Sequence, residues 1–410
     1  MLDSNRILKD VLASAIIPGL FVVLWLFGLI SIATLKLCLI GSIIIFIVLP
    51  FIYKYSPVLQ RGVLFLTFIA HPSTSVLKSP ADLGLYATRN FYIKYRDNVE
   101  DKNVTLGVWH ILPNYIAQKF AKELGVKKSD VKPSNKTKHH LVKYDQSIEA
   151  IESQIRNEFP TITEQNNVEF YERMLHVAGA KIVFYMHGNS GSRAASHRIE
   201  LYQVLREQGY HVICFDYRGY GDSLPASPTE TGLVNDAIAV YKYITSVTTN
   251  PIFAWGHSLG TGVGCHTLAK LKQLNIFGPR VLVLESPFNN IRDEVREHPF
   301  SRFFRHLPWF DYTIVDPMFE NKLRFESDKH VSTFPQPLMI LHAVDDLVVP
   351  YKLGHKLYLW ALDKRHKSWG PVEFHRFDAD SGYGHKFICR APELPDIFNK
   401  FFETYGNEIY

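Results

Sequence analysis

The segment Gly256-His257-Ser258-Leu259-Gly260 sets a serine between two glycines, directly after an apolar run at 251–257. Between a buried strand and a helix, this pattern forms a sharp turn that projects the serine Oγ into a site. Gly256 and Gly260 let neighbouring backbone pass where a Cβ would clash. A serine hydroxyl is a weak nucleophile until a base takes its proton, and the base needs an acid to orient it. Partners of the right type follow in the order expected for such a site. Asp345 and Asp346 lie in Ala343-Val344-Asp345-Asp346-Leu347-Val348-Val349-Pro350, and His385 closes Asp380-Ser381-Gly382-Tyr383-Gly384-His385. We read Ser258 as nucleophile, His385 as general base and Asp346 as the orienting acid, with Asp345 as the competing acid. Acyl transfer also requires donors for a developing oxyanion. The N–H groups of Leu259 and of Asn189, which follows the His187-Gly188 turn, are assigned that task. His187 is read as organising the turn. In Asp216-Tyr217-Arg218, the acid and the base are read as an ion pair bracing a loop. No metal or organic cofactor is implied.

These residues need a scaffold that brings distant segments together. Short apolar runs at 181–187, 210–216, 251–257, 280–285, 337–342 and 372–377 alternate with helical patterns. Near-continuous runs such as Val281-Leu282-Val283-Leu284 indicate strands buried on both faces of a parallel sheet. Alternation at Phe91, Ile93 and Tyr95, followed by the run from Val104 to Ile111, predicts an opening hairpin. Ser227-Pro228-Thr229-Glu230 reads as a capping box, and Gly209 is placed to end a helix. Residues 113–170 form a lysine-rich insertion, its basic character read as a solvated face, with a helical pattern at Ile148, Ile151, Ile155 and Phe159. The fold class is α/β, with the candidate residues at the C-terminal ends of strands, where open α/β sheets bind ligands.

The first sixty residues differ in character. No charged residue occurs from Val11 to Leu35 or from Leu37 to Tyr53. The first run is long enough to cross a hydrocarbon layer of about 30 Å, and Lys36 and Lys54 flank the second. Residues 1–60 are therefore expected to be a membrane anchor of one or two transmembrane helices, and 61–405 the catalytic domain. Ser31-Ile32-Ala33 resembles a signal cleavage site, but the apolar region exceeds the roughly 7–15 residues of a signal peptide. The sequons at Asn103 and Asn135 point the remainder toward a lumen or the cell exterior. Over the 410 residues, 45 basic and 40 acidic side chains leave a net charge of +5, too mild to mark nucleic-acid binding. The four cysteines form no Cys-x-x-Cys pair, which argues against a zinc site or a disulfide framework.

Together the motifs resemble the α/β-hydrolase superfamily, and within it the membrane-anchored lysophosphatidylserine and monoacylglycerol lipases. The resemblance rests on His187-Gly188-Asn189, Phe215-Asp216-Tyr217-Arg218-Gly219, Gly256 through Val263, Leu284 through Arg292, Leu341 through Pro350, and Gly384-His385-Lys386. It implies an α/β-hydrolase fold with a cap insertion, at 287–336, and a Ser258–Asp346–His385 triad. It further implies a lipid substrate with a single acyl chain, and a catalytic domain facing the endoplasmic-reticulum lumen or the cell exterior. The cap is rich in aromatics, including Phe288, Phe300, Phe303, Trp309 and Phe325, which suit an acyl channel. Arg302 and Arg305 are candidates for an anionic headgroup. Cleavage of acyl thioesters from proteins is the alternative reading, since the same triad performs it. An Asp-nucleophile hydrolase is disfavoured by Ser258.

Overall fold

The computed structural model describes residues 4–69, 71–131, 142–224 and 226–408; the Asn135 sequon lies outside the described residues. The chain divides into two compact units. One is Met1–Leu64 with Asn290–Arg324, and the other is Phe65–Asn289 with Phe325–Tyr410. Most of the stretch expected as a cap thus belongs with the N-terminal helices, while its last residues return to the larger unit.

The larger unit is built on eight strands: β1 (Thr88–Asp97), β2 (Lys102–Ile111), β3 (Ile182–Met186), β4 (His211–Phe215), β5 (Ile252–His257), β6 (Val281–Glu285), β7 (Leu338–Ala343) and β8 (Val372–Phe377). Their order in the sheet is β1-β2-β4-β3-β5-β6-β7-β8. β1 and β2 form the expected hairpin, β2 runs antiparallel to β4, and the other pairings are parallel. This is the α/β-hydrolase fold. Every residue of β3 to β7 is buried, as a sheet covered on both faces requires. The order reverses around β3: the chain runs outward to β4, then returns to place β5 on the other side. Such a switch point opens a crevice at the carboxyl ends of the two central strands. One face of the sheet is sealed by a core containing Trp109, Trp255, Phe253 and Phe402, with the last two rings stacked at 4.3 Å.

Three local expectations are corrected. The helix Glu230–Val247 is capped by Thr229, not Ser227. Thr229 is the last extended residue (φ −139°, ψ 160°), and its Oγ1 accepts the Gly232 N–H at 2.9 Å. The insertion is more than a solvated surface. Its helix Val142–Glu158 buries Tyr144, Ile148 and Ile155 against Phe120, Phe170 and Met174, while Lys119 faces the acids Asp145, Glu149 and Glu152. Asp216 and Arg218 do brace loops, but with other partners. Asp216 binds Arg193, whereas Arg218 reaches Asp97 at 2.7 Å, Asp236 at 2.8 Å and Glu100 at 2.8 Å. Arg218 thereby ties the β1–β2 turn to the helix Glu230–Val247.

In the smaller unit, a helix spans Ser4–Leu26, and a continuous helical stretch, Ile32–Tyr55, is long and apolar enough to cross a membrane. The break falls at 27–31 instead of at Lys36. Gly28 adopts φ 70°, and Ser31 caps the next helix by accepting the Thr34 N–H, so the cleavage-like Ser31-Ile32-Ala33 forms a helix start. Lys36 is carried on the outside of that helix. Leu307, Phe310 and Val315 form a small core with Phe46, Phe304 and Trp309 around it.

The Arg218 network supplies a stability test. Removing the guanidinium leaves buried carboxylates uncompensated, which costs about 3–5 kcal/mol. Arg218→Met should lower the urea midpoint accordingly; an unchanged midpoint would show that these charges do not brace the fold.

Candidate active site

The site forms where β5, β7 and β8 deliver their C-terminal loops. Ser258 follows β5 and precedes the helix Leu259–Gln273. Its backbone sits at φ 54°, ψ −119°, a conformation costing about 1–3 kcal/mol that surrounding structure must impose. Gly256 and Gly260 are what permit the turn. A Cβ on Gly256 would collide with the Gly260 carbonyl, and one on Gly260 with the Met186 carbonyl at the end of β3.

Ser258 Oγ lies 2.9 Å from His385 Nε2, and His385 Nδ1 lies 2.8 Å from Asp346 Oδ2. In the neutral imidazole the hydroxyl donates to Nε2 while Nδ1–H donates to the carboxylate. The structure thus brings together three residues drawn from 127 and 39 positions apart in sequence. Asp346 Oδ1 accepts the Val348 and Val349 N–H groups, each at 2.9 Å, which fixes the carboxylate plane. Asp345 is turned elsewhere: its Oδ2 accepts the Gly384 N–H at 3.0 Å. The other flank of the crevice is the His187-Gly188-Asn189 turn after β3. A Cβ on Gly188 would stand 3.2 Å from the Ser258 Cβ, so this turn lies directly against the serine. Leu259 opens its helix, where an N–H has no intrahelical acceptor. Arg198, buried in the helix Ser196–Glu207, holds the turn by donating to the Ser190 carbonyl at 2.7 Å and the Gly188 carbonyl at 3.3 Å.

Known proteins resemble this chain over most of its length. The family model described as serine aminopeptidase, S33, matches residues 179–326. A zebrafish (Danio rerio) protein named lysophosphatidylserine lipase ABHD12 is 36% identical over 368 residues, covering 90% of this chain and 83% of its own. The mouse (Mus musculus) protein of that name is 37% identical over 366 residues, covering 89% and 78%. The human protein ABHD12B is 38% identical over 226 residues, 55% of this chain and 61% of that one. The chain belongs to the ABHD12 family of α/β-hydrolases. It is accordingly a serine hydrolase of the lipase type.

In this ABHD12-family site, the electrostatics follow from burial. Burial alone would raise the pKa of Asp346, but the His385 and His342 imidazoles outweigh it and hold the carboxyl below its usual range. His342 Nε2 lies 3.3 Å from Asp346 Oδ2 and donates to the Val349 carbonyl at 3.0 Å. His257 is pushed down to about 3 by burial, with the neighbouring His385 ring adding to the effect. It is therefore neutral, and its Nε2–H donates to the His385 main-chain carbonyl at 2.8 Å. Sequence reasoning placed His257 in the elbow without a role; here it fastens the loop that carries His385. Only its adjacency to Ser258 signalled it. Glu285, on β6 opposite His257, was not singled out. Burial pushes it up to about 7, and Trp255 Nε1 donates to its Oε2 at 2.8 Å.

Among the described residues, Glu230, His266 and His330 have the composition of a metal site. Their geometry is different. A metal needs ligand lone pairs that converge. His266 and His330 stack at 4.1 Å with 18° between planes, so their lone pairs lie in separate, nearly parallel planes. Glu230 accepts from the Phe325 N–H at 2.9 Å and faces His266 Nδ1 at 3.0 Å. The cluster is a packing joint between helices. The cap aromatics also separate: Phe288 and Phe325 close on Gly262 of the helix after Ser258, while Phe300 and Phe303 are exposed. Arg305 pairs with Glu297 at 4.0 Å. Asn103 is exposed on β2, its Oδ1 accepting from Arg96 at 3.2 Å.

Two outcomes follow. Glu285 ionises near 4.5 when exposed but near 7 when folded, so the native state keeps its proton longer. Stability contributed by this group therefore falls as pH rises from about 4.5 through 7, by about 3 kcal/mol at most. Glu285→Gln should remove that loss, and a chemical-denaturation series over pH would show it; an unchanged pH dependence would contradict the assignment. His257→Gln should lower kcat by about 10–100-fold through misplacement of His385, with little change in KM. An equal fall in fluorophosphonate labelling of Ser258 would accompany it, whereas a purely structural defect would show as lost folded protein with normal specific activity.

Proposed function

We propose that the protein is a membrane-anchored lipase that hydrolyses the acyl ester of lysophosphatidylserine and of monoacylglycerols. The observation that carries the reading is His385 bridging Ser258 and Asp346 in a chain whose ABHD12 relatives are named lysophosphatidylserine lipases. Ser258 Oγ attacks the acyl carbonyl as His385 Nε2 takes its proton. Asp346 stabilises the imidazolium, and the Leu259 and Asn189 N–H groups receive the oxyanion. His385 then protonates the departing glycerol oxygen, leaving an acyl-serine. Water, deprotonated by His385, attacks that ester and frees the fatty acid, and Ser258 regains its proton. Every step is proton transfer and acyl exchange, so the scheme calls on no cofactor.

The helix Ile32–Tyr55, whose 24 residues are long and apolar enough to cross a membrane, supplies the anchor. In this reading the larger unit faces the endoplasmic-reticulum lumen or the cell exterior, where Asn103, exposed on β2, is available for glycosylation; Asn135 carries the second sequon and lies outside the described residues.

The test is fatty-acid release by membranes expressing the chain, from lysophosphatidylserine, a monoacylglycerol and a palmitoyl thioester. Both ester substrates should be cleaved, and Ser258→Ala or Asp346→Asn should lower the rate by about 10⁴-fold. Cleavage of the thioester alone, or full activity in Ser258→Ala, would overturn the proposal.

A further inference from the structure

The smaller unit holds an arrangement that a simple anchor does not need. Pro50 lies within the helical stretch Ile32–Tyr55 and has no N–H, so it cannot serve the carbonyl four residues earlier, that of Phe46. That carbonyl accepts from the Trp309 indole N–H at 2.8 Å. Eight residues on, at the end of the same stretch, Lys54 Nζ sits 3.0 Å from the Tyr312 ring centroid and donates to the Tyr312 carbonyl at 3.3 Å. At a rise of about 1.5 Å per residue, Phe46 and Lys54 are about 12 Å apart along the helix. Residues 309–312 are thus pinned beside its last two turns, and Phe304 adds a ring contact to Phe46 at 6.0 Å.

Lys54 marks the level at which a spanning helix meets the headgroups, and Trp and Tyr favour that level. A segment fastened from Lys54 to Phe46 therefore runs from the interface into the hydrocarbon. Next to it, in the short helical turn Pro299–Phe303, Phe300 and Phe303 are 78% and 70% exposed. Arg302 lies between them and Arg305 just beyond, with stems long enough to carry charge back to lipid phosphates. Exposed rings flanked by arginines, beside an apolar helix, form the pattern of an interfacial wedge.

We infer that residues 299–312 are a second membrane contact, with Phe300 and Phe303 entering the acyl region of the leaflet at the Lys54 end of the span. The occupant of this surface is the lipid bilayer. The inference rests on the reading of Ile32–Tyr55 as a membrane span, and the experiment separates the two. The full chain, with Cys38→Ser to remove the one native thiol that is not buried, is reconstituted into phosphatidylcholine/phosphatidylserine vesicles. An environment-sensitive fluorophore is attached through Phe303→Cys or Phe300→Cys, or through Phe277→Cys as a control at an equally exposed ring, 79% accessible, on the larger unit.

Probes at 300 and 303 should be quenched by nitroxide on the lipid acyl chains and shielded several-fold from aqueous iodide, whereas the probe at 277 should show the reverse. If the chain resists alkaline carbonate extraction yet probes at 300 and 303 behave like the probe at 277, the wedge is wrong and the anchor stands. Shielding from iodide without quenching by nitroxide lipid would mean that protein covers this surface, which also overturns it. Release of the whole chain by carbonate would remove the span and the inference with it.

Discussion

Ser258 is held at φ 54°, and much of the larger unit is organised around that one unfavourable turn. The serine cannot relax because its own N–H is bonded to the Glu285 carbonyl at 2.9 Å, locking it to β6. Gly256 and Gly260 bring β5, the following helix and the end of β3 to a separation that no side chain fits. Once the turn is fixed, Oγ lies 2.9 Å from His385 Nε2, and Leu259 opens the next helix with an N–H that has no intrahelical acceptor. The cost of about 1–3 kcal/mol is small beside the burial of a fully covered five-strand parallel core, so the fold can sustain it.

The histidine and the acid are positioned by a different means. Neither lies in a strand or a long helix, so backbone ladders do not fix them. Each is tied by hydrogen bonds to atoms other than those that react. Asp346 uses one oxygen for the Val348 and Val349 N–H groups and the other for His385. The His385 loop is held by the Asp345 carboxylate at Gly384 and by His257 at the His385 carbonyl. Two neighbouring aspartates thus divide the work: one orients the imidazole and the other the chain that bears it. His257 can serve as a neutral donor because its own burial disfavours the charged imidazolium.

What could be read in the sequence follows from this division. The strands and the elbow were legible because burial on both faces writes continuous apolar runs and because the turn demands glycine. The helix break at 27–31 was hidden, since hydropathy is blind to a cap: Ser31 and Gly28 look like ordinary residues in an apolar run, whereas Lys36 draws the eye. Arg193 as partner of Asp216, and Asp236 as partner of Arg218, were unreadable because ion pairing depends on which strands become neighbours. The aromatic cap residues were visible as a group, but their separation into core rings and exposed rings was not, and neither was the bond from the Trp309 indole to the Phe46 carbonyl. That pairing spans 263 positions and has no local signature.

The central claim is that His385, oriented by Asp346, activates Ser258. Fluorophosphonate labelling followed by peptide mass mapping tests it on the intact membrane-bound chain. One adduct should form, on Ser258, and its rate should collapse in His385→Ala and fall steeply in Asp346→Asn while Asp345→Asn retains much of it. An adduct on another serine, or labelling of Ser258 that is indifferent to His385, would contradict the account.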